Sequence, residues 1–233
     1  MYYTPAVTLL DLVLPQTCVV CGVPTGGRLP VCAGCKARLE PIVGRRCAVC
    51  GVPLIAEKTT CVRCRDRRTY YRRHRSIFAF EGTARRVIAA YKFGGRFSLA
   101  ELLGNCLARW LRETYPRELP LVVPAPASPA GRRRRGFDQS LRLARILERR
   151  YGVPVCRALR RTGRRQQKQL DYEARSRNLR GAISLARRRL PTLPKTILVL
   201  DDVFTTGATV NECARVLREA GIETVDAVTL AAD

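Results

Sequence analysis

From Ser76 onward, short apolar runs alternate with longer segments whose apolar residues recur every three or four positions. The short runs predict strands over residues 76–80, 121–125, 153–158, 196–200 and 224–231. The longer segments and their flanking breakers predict helices over residues 83–92, 98–114, 138–150 and 208–220. Strands that alternate with helices indicate an α/β fold with a mainly parallel sheet and helices on both of its faces.

The first fifteen residues, MYYTPAVTLLDLVLP, are apolar, but Asp11 interrupts them and they lack a basic start. They therefore do not match a secretory signal, and they predict an amphipathic helix or a packing strand. The chain contains no run of about 18 apolar residues, the length that a membrane-spanning helix needs. We expect a cytoplasmic protein, in which thiols stay reduced.

Eight of the eleven cysteines form an internal repeat in the first 64 residues. The segments that begin at residues 18 and 47 both read C-x2-C-G-V-P-x7-C-x2-C. Each supplies four thiolates from two tight turns, which is the donor set of a structural zinc site, and the glycine after the first pair permits the backbone that closes the turn. We predict two separate zinc sites, one formed by Cys18, Cys21, Cys32 and Cys35 and the other by Cys47, Cys50, Cys61 and Cys64.

Other uses of these cysteines are less compatible with the pattern. A cross-braced pairing of the repeats stays open, but a sequential duplication disfavours it. A disulfide framework is a lesser alternative, and redox catalysis lacks the surrounding βαβ pattern. Sites made only of cysteine leave no open position for catalysis, so the metals would serve to fold the module.

The repeat and the α/β pattern divide the chain into two expected domains. Residues 1–75 would form a double zinc ribbon that ends in a basic linker over 65–75, in which His74 is expected to be solvated. Residues 76–233 would form the α/β domain.

The chain has 43 Lys and Arg against 19 Asp and Glu, a formal net charge of +24, and only five of the cations are lysine. Arginine suits planar, bidentate contacts with phosphate, so the surplus favours nucleic acid or a phosphorylated small molecule as a partner. The alternative is an ordinary basic surface from an arginine-rich proteome.

Two adjacent acids, Asp201 and Asp202, follow the apolar run 197–200 and precede the turn TTGAT. Ligands of open α/β sheets bind at the carboxyl ends of strands. The N–H groups at the start of the next helix and the threonine hydroxyls would hold one phosphate, while the acids would accept hydrogen bonds from ribose hydroxyls, directly or through Mg²⁺-bound water. The segment therefore predicts a ribose 5-phosphate site.

Three other interpretations of the acid pair are weaker. A Walker B strand also ends in an acid, but the chain has no G-x-x-x-x-G-K-[ST] motif. A phospho-acceptor receiver would not follow its aspartate with T-T-G-x-T. A purely structural acid pair is costly after a buried strand.

The stretch 197-ILVLDDVFTTGAT-209 resembles the signature of the type I phosphoribosyltransferases. The segments 122-VVPAPASPAGRRRRGFDQSLRLA-144, 167-QKQLDYEARSRNLRGA-182 and 91-YKFGGR-96 resemble motifs of the ComF family of competence-associated proteins, and the cysteine repeat resembles that family's double zinc ribbon. The resemblance covers nearly the whole chain in the same order. One departure is Asp138, where the family more often has asparagine.

The resemblance implies a type I phosphoribosyltransferase fold that binds 5-phosphoribosyl-1-pyrophosphate (PRPP) with Mg²⁺. Asp201 and Asp202 would be the catalytic acids that hold the ribose hydroxyls or the water shell of the metal. The 5-phosphate would bind Thr205, Thr206, Gly207, Ala208 and Thr209, and the pyrophosphate would lie nearest Arg135 and Gly136. A mobile loop over 160–180 would close the site with Arg165, Gln167, Lys168, Arg175 and Asn178.

The resemblance also implies a role in handling single-stranded DNA during natural transformation, with competence or recombination proteins as further partners. Two functions are compatible with it. One is a phosphoribosyltransferase with an unidentified acceptor, and the other is a non-catalytic DNA-binding accessory protein that keeps a PRPP or nucleotide pocket. Arginine and aromatic side chains together suit single strands.

Overall fold

The computed structural model describes residues 16–55, 58–162, 179–186 and 194–233. Its helices and strands, numbered in chain order, are α1 (Ala33–Ala37), α2 (Val62–Arg65), β1 (Arg73–Ala79), α3 (Gly82–Phe93), α4 (Leu99–Thr114), β2 (Leu121–Pro124), α5 (Pro129–Arg135), α6 (Gln139–Tyr151), β3 (Leu159–Arg161), β4 (Ile183–Leu185), β5 (Thr196–Phe204), α7 (Ala208–Glu219) and β6 (Thr224–Ala232). Within these residues, every helix is too short or too polar to cross a membrane.

Four parallel strands form the central sheet in the order β1-β6-β5-β2, and β3 and β4 pair antiparallel beside it. The predicted strand over 153–158 is wrong, because this segment makes only one bridge, from Val155 to Val122 of β2. Pro154 explains the short pairing, since proline has no N–H to donate to a ladder. The Pro154 carbonyl still accepts a hydrogen bond from the Val122 N–H at 2.8 Å.

Helices cover both faces of the sheet, because successive side chains of each strand point to opposite sides. Leu198 and Leu200 of β5 lie in one buried cluster with residues of α3, α4 and α6, whereas Ile197 and Val199 lie in a second cluster with residues of α7. The predicted fold class, a mainly parallel α/β domain preceded by a double zinc ribbon, is confirmed.

The two cysteine repeats contact opposite faces of this sheet. The first ribbon, residues 16–39, contributes Cys18 and Cys35 to the cluster that contains α3 and α4, and Arg86 of α3 donates to the Val20 carbonyl at 2.7 Å. The second ribbon, residues 45–65, contributes Cys47, Cys50 and Cys64 to the cluster that contains α7. Each ribbon therefore extends one of the two hydrophobic cores.

His74 is fully buried, so the expectation of a solvated linker residue is wrong. It lies in β1, which pairs with β6, and its N–H donates to the Val49 carbonyl at 2.7 Å. Its Nδ1 lies 2.7 Å from the Cys50 carbonyl oxygen and its Nε2 lies 2.9 Å from the Thr229 hydroxyl. Burial lowers the pKa of His74 to about 4, so the ring is neutral, and Nδ1 must be its donor because a carbonyl only accepts.

The paired glycines of the repeat allow a matched test of how the second ribbon contacts the sheet. Gly22 and Gly51 have φ of 80° and 71°, so alanine would cost roughly 1–2 kcal/mol of left-handed strain at either position. A Cβ at Gly51 would also lie 2.5 Å from the His74 carbonyl oxygen, whereas one at Gly22 would meet no atom within 4 Å.

We expect Gly51→Ala to lower the free energy of unfolding by about 1–3 kcal/mol more than Gly22→Ala does, because backbone atoms of β1 must shift. Urea unfolding of the zinc-loaded variants measures the difference. Equal costs at the two positions would show that the second ribbon can move away from β1 without loss.

Candidate ligand-binding site and metal centres

The acid pair lies on β5, past the end of its neighbour β2. The predicted strand 196–200 is too short, because β5 continues to Phe204 and pairs with β6 up to Ala232. The last residue of β2, Pro124, pairs with Leu200, so Asp201 and Asp202 come directly after the point where β2 stops. The acids therefore lie at the carboxyl edge of the sheet, where a ligand has space.

Side chains from α3 and α6 hold both carboxylates. The Gln139 amide donates to Asp202 Oδ2 at 2.9 Å, and Lys92 Nζ lies 3.1 Å from the same oxygen. The Ser140 hydroxyl donates to Asp201 Oδ1 at 3.0 Å. Sequence reasoning assigned no role to Lys92, Gln139 or Ser140, although all three lie in the segments that carried the family resemblance.

The two acids differ in how well their charge is compensated. Asp202 is buried and forms an ion pair with the Lys92 ammonium, whereas Asp201 is half-buried and accepts hydrogen bonds from the Ser140 hydroxyl and the Asp202 N–H. Burial raises the pKa of Asp201 to about 7, and the charge of Asp202 adds to the rise, while the Asp202 N–H and Ser140 hydroxyl oppose it. Asp201 thus gains or loses its proton near neutral pH.

The turn after β5 leads into the start of α7 through a glycine with positive φ. Thr205 and Thr206 lead into Gly207, the residue before α7, and Gly207 has φ of 75°. The first N–H groups of α7 have no acceptors within the helix and point toward the turn. A Cβ at Gly207 would lie 2.5 Å from the Phe204 ring, so both the backbone angle and the space require glycine.

Part of this turn is held by residues that follow the second ribbon. Arg67 donates to the Thr206 carbonyl at 2.8 Å, and the Tyr70 N–H donates to Asn211 Oδ1 at 2.8 Å. The His74 ring stacks on Phe204 with ring centroids 3.9 Å apart and an interplanar angle of 16°. Sequence reasoning missed these contacts, because no local pattern links residues that are 139 positions apart.

Arg135 and Gly136 lie at the end of α5, a short helix that is not among the predicted elements. Arg135 is half-buried, and burial lowers its pKa against the attraction of Asp202. Arg132, Arg133 and Arg134 are exposed.

Asp138 caps α6, since its side chain accepts from the Leu141 N–H at 3.0 Å and from the Ala127 N–H at 2.9 Å. Asparagine also caps helices well, so the departure from the family pattern preserves a structural role.

A cavity of about 150 Å³ opens at the carboxyl end of β2, beside α5 and Asp138. Its lining includes four arginines, Arg132, Arg157, Arg160 and Arg161. Typical small-molecule pockets measure roughly 300–1,000 Å³, so this cavity suits part of a ligand, such as one phosphate group. The predicted loop residues Arg165, Gln167, Lys168, Arg175 and Asn178 lie outside the described residues.

The cysteines of each repeat form one cluster, with all four sulfur atoms within 4.8 Å of one another. Cys21 and Cys32 have sulfurs 3.7 Å apart, and those of Cys50 and Cys61 are 3.6 Å apart. Four thiolates about 2.3 Å from one Zn²⁺ lie about 3.8 Å from each other, so both clusters fit tetrahedral zinc. The sequential assignment, Cys18–Cys21–Cys32–Cys35 and Cys47–Cys50–Cys61–Cys64, is confirmed.

The thiols within a cluster titrate very differently. Burial would raise the pKa of Cys47, but backbone N–H groups of its own repeat outweigh it and lower the pKa to about 6. Burial raises the pKa of Cys64 far above its usual range. A bound cation makes four thiolates compatible in so small a volume, which is what zinc supplies.

We expect Asp201→Asn to stabilise the unliganded protein by about 1–3 kcal/mol at pH 8 and to have little effect at pH 3, where the acid is protonated in both the folded and the unfolded state. The pKa of this acid is raised on folding, so wild type loses stability as the pH rises from about 4 through about 7, and asparagine removes that loss while still accepting from Ser140. Thermal unfolding across this pH range measures it.

Asp202→Asn is the matched control, because it leaves Lys92 without its carboxylate and should bring no gain. An advantage of Asp201→Asn that is the same at pH 3 and pH 8 would contradict the raised pKa.

Comparison with known proteins places the ribbon and the α/β domain in one family. The family model of a double zinc ribbon domain matches residues 9–65. Competence protein ComFC of Streptococcus pneumoniae is 31% identical over 157 residues, which cover 67% of this chain and 67% of that protein. Competence protein F of Haemophilus influenzae is 29% identical over 153 residues, which cover 62% of this chain and 66% of that protein.

One solved structure, that of the allosteric regulatory enzyme of purine biosynthesis, superposes with a TM-score of 0.35 and 19% identity over 57% of this chain and 26% of the enzyme. This superposition is too loose to assign a function. The two competence proteins are better evidence of kinship, because each aligns with this chain over about two thirds of its own length. The double zinc ribbon matched at residues 9–65 agrees with that assignment. The chain belongs to the ComF family of competence-associated proteins.

Proposed function

We propose that the protein binds PRPP with Mg²⁺ at the edge formed by β5 and α7 and transfers its phosphoribosyl group to an acceptor. The observation that carries this proposal is the acid pair, Asp201 and Asp202, which lies near the carboxyl end of β5, two residues before the turn that leads into α7. Acids and an anion-binding helix start, side by side, match a ligand that carries both hydroxyls and a phosphate.

The 5-phosphate would occupy the turn of Thr205, Thr206, Gly207, Ala208 and Thr209. The N–H groups at the start of α7 and the threonine hydroxyls would donate to its oxygens, and the Ala208 N–H would exchange its long bond to the Thr206 hydroxyl, 3.4 Å, for one to the phosphate. Gly207 supports this use, since any side chain there would strike Phe204 and reshape the turn.

The ribose hydroxyls would donate to Asp201 and Asp202. Both are already oriented by donors from α3 and α6, so little ordering would be needed when the ligand binds. Carboxylate oxygens are also the ligands that Mg²⁺ prefers, and the metal would neutralise the negative charge of the pyrophosphate.

The pyrophosphate would lie near Arg135 and Gly136, next to the arginine-lined cavity. Guanidinium groups of Arg132, Arg160 and Arg161 would neutralise its charge as the bond to the ribose breaks. Arg165, Gln167, Lys168, Arg175 and Asn178 stay proposed members of a loop that closes over this side.

We expect PRPP to bind the zinc-loaded wild type in a Mg²⁺-dependent manner and to bind the double variant Asp201→Asn/Asp202→Asn at least about tenfold more weakly, because hydrogen bonds to charged groups contribute roughly 1.5–3 kcal/mol. Titration calorimetry with and without Mg²⁺ measures both affinities.

Glu101→Gln/Glu113→Gln on α4 is the matched control, since it removes two negative charges from exposed positions. Absence of PRPP binding to the folded wild type would overturn the proposal.

A second function, binding of single-stranded DNA, is favoured by a surface between α3 and α4. Phe93 and Phe97 are 64% and 41% exposed. The Arg134 guanidinium carbon lies 5.7 Å from the Phe93 ring centroid, and that of Arg142 lies 4.8 Å from the Phe97 centroid. Open rings bordered by arginine fit unpaired bases and their phosphates, whereas a duplex hides its base faces.

This surface adjoins the acid site and has a rigid support. Lys92, the neighbour of Phe93, reaches Asp202, and Phe97 packs edge-on against Phe137 at 5.0 Å. Phe137 in turn contacts Tyr91. The protein could therefore bind single-stranded DNA whether it turns over PRPP or serves only as an accessory protein of competence or recombination.

We expect Phe93→Ala to weaken binding of an oligothymidylate by about tenfold, since one stacked base contributes roughly 1–3 kcal/mol, while Phe93→Tyr keeps the affinity. Fluorescence anisotropy with single strands and with duplexes of equal length measures this, and calorimetry with PRPP on the same variants shows that the acid site is intact.

The competing location is the second ribbon, tested by Arg63→Gln/Arg65→Gln, which removes two exposed arginines. If that variant loses single-strand binding while Phe93→Ala keeps it, the DNA site lies on the ribbon.

A further inference from the structure

Two separate routes join the second ribbon to the phosphate turn, the turn over residues 205–209 that would hold the 5-phosphate. One runs through the interior of the protein and the other runs along its surface. Both begin at the second cysteine cluster or directly after it, and both end between Phe204 and Asn211.

The interior route consists of the Cys50 carbonyl, the His74 ring, the Phe204 ring and Gly207. His74 Nδ1 donates to the carbonyl at 2.7 Å, and the imidazole stacks on Phe204 at 3.9 Å. Phe204 is packed so closely on Gly207 that no Cβ would fit between them. A shift of the Cys50 backbone therefore moves two rings and then the turn, since packed interiors transmit displacement.

The surface route starts directly after Cys64, the last cysteine of the cluster. Arg67 donates to the Thr206 carbonyl, and the Tyr70 N–H donates to Asn211 Oδ1, each at 2.8 Å. These contacts fix the turn from the outside and orient the first turn of α7. Tyr71, which is 2% exposed, anchors the segment in the same core as the cluster.

The first ribbon provides a natural comparison, because it has the same four-cysteine sequence but a different location. It packs with α3 and α4 on the opposite face of the sheet, where Arg86 contacts the Val20 carbonyl. The two cysteine clusters thus share a sequence pattern but pack against different parts of the α/β domain: the first against α3 and α4, the second against the core that contains α7.

We propose that zinc in the second ribbon positions the phosphate turn for its ligand, through Arg67 and His74 as positioning residues, while zinc in the first ribbon does not. The identity of the ligand in this inference rests on the proposed function. The coupling between the second ribbon and the turn does not. Coupling between two sites is reciprocal, so a ligand in the turn would also retain zinc in the second ribbon.

The first test needs no ligand. Amide hydrogen exchange is measured over residues 204–212 in zinc-loaded full-length wild type, in Cys61→Ser and in Cys32→Ser. We expect exchange in this segment to accelerate at least tenfold in Cys61→Ser and to stay unchanged in Cys32→Ser. Unchanged exchange in Cys61→Ser, or equal acceleration in both variants, would overturn the proposal.

A second pair of variants tests the proposal even if Cys61→Ser unfolds the whole protein. Arg67→Gln removes the bond to Thr206 and leaves all eight cysteines in place, and Arg68→Gln is the adjacent exposed control. With two zinc ions still bound, as measured by metal analysis, Arg67→Gln should raise exchange in residues 204–212 and Arg68→Gln should not. The absence of a rise in Arg67→Gln would count against the proposal even if Cys61→Ser fails to fold.

The reciprocal test uses PRPP and Mg²⁺ as the ligand and a chromogenic chelator as the readout. PRPP should slow zinc release at least fivefold in Cys32→Ser, which retains the second site, and should not change it in Cys61→Ser, which retains the first. Calorimetry separates the two proposals: PRPP that binds without protecting zinc overturns the coupling, whereas PRPP that does not bind overturns the proposed function and leaves the hydrogen-exchange test decisive.

Discussion

Two adjacent carboxylates near the carboxyl end of β5 constrain the elements that surround them. Burying ionised acids is costly unless they are paired or hydrogen-bonded. Lys92 and Gln139 compensate Asp202 and Ser140 compensates Asp201, which requires the end of α3 and the start of α6 to meet at the carboxyl edge of β5. The compensation is incomplete at Asp201, whose pKa is raised to about 7, and incomplete compensation is typical of groups that interact with a ligand.

The cysteine clusters solve a different problem, the shortage of large apolar side chains within the two ribbons. A segment of this length has too small a core to fold by burial alone, and metal–thiolate bonds replace the missing contacts. The thiolates also join the larger core, since Cys35 and Cys47 are fully buried among residues of the α/β domain. The ribbons and the sheet therefore share hydrophobic cores, with one ribbon on each face.

Local patterns predicted the parts of the molecule that depend on neighbours in sequence. The zinc clusters follow from spacing alone, and helices α3, α4, α6 and α7 lie within one residue of their predicted bounds. The extension of β5 through its two acids was missed, because charged residues resemble a strand end and only pairing with β6 reveals otherwise. His74 was missed for the same reason: its arginine neighbours indicate solvent, while its burial depends on the ribbon above it.

The partners of the acid pair could not be predicted from local sequence either. Gln139 and Asp202 are 63 positions apart, and nothing in either segment specifies the other. The family motifs marked the right segments without saying what their side chains do. The positions of Arg67 and Tyr70 at the phosphate turn depend on how a metal cluster docks on a sheet, which is a property of the folded protein alone.

Acidic and basic side chains of this chain are placed differently: several acids form ion pairs, whereas many arginines are exposed. Several of the acids are used internally: Asp226 pairs with Arg72 and Arg73, Glu212 pairs with Arg215, and Asp202 pairs with Lys92. The excess arginines, such as Arg132–Arg134, are exposed. A polyanion that approaches the carboxyl edge therefore meets exposed arginines before it meets the two acids. Attraction of a polyanion at the surface and the proposed recognition of hydroxyl groups inside can thus coexist, because the ion pair with Lys92 offsets the charge of Asp202.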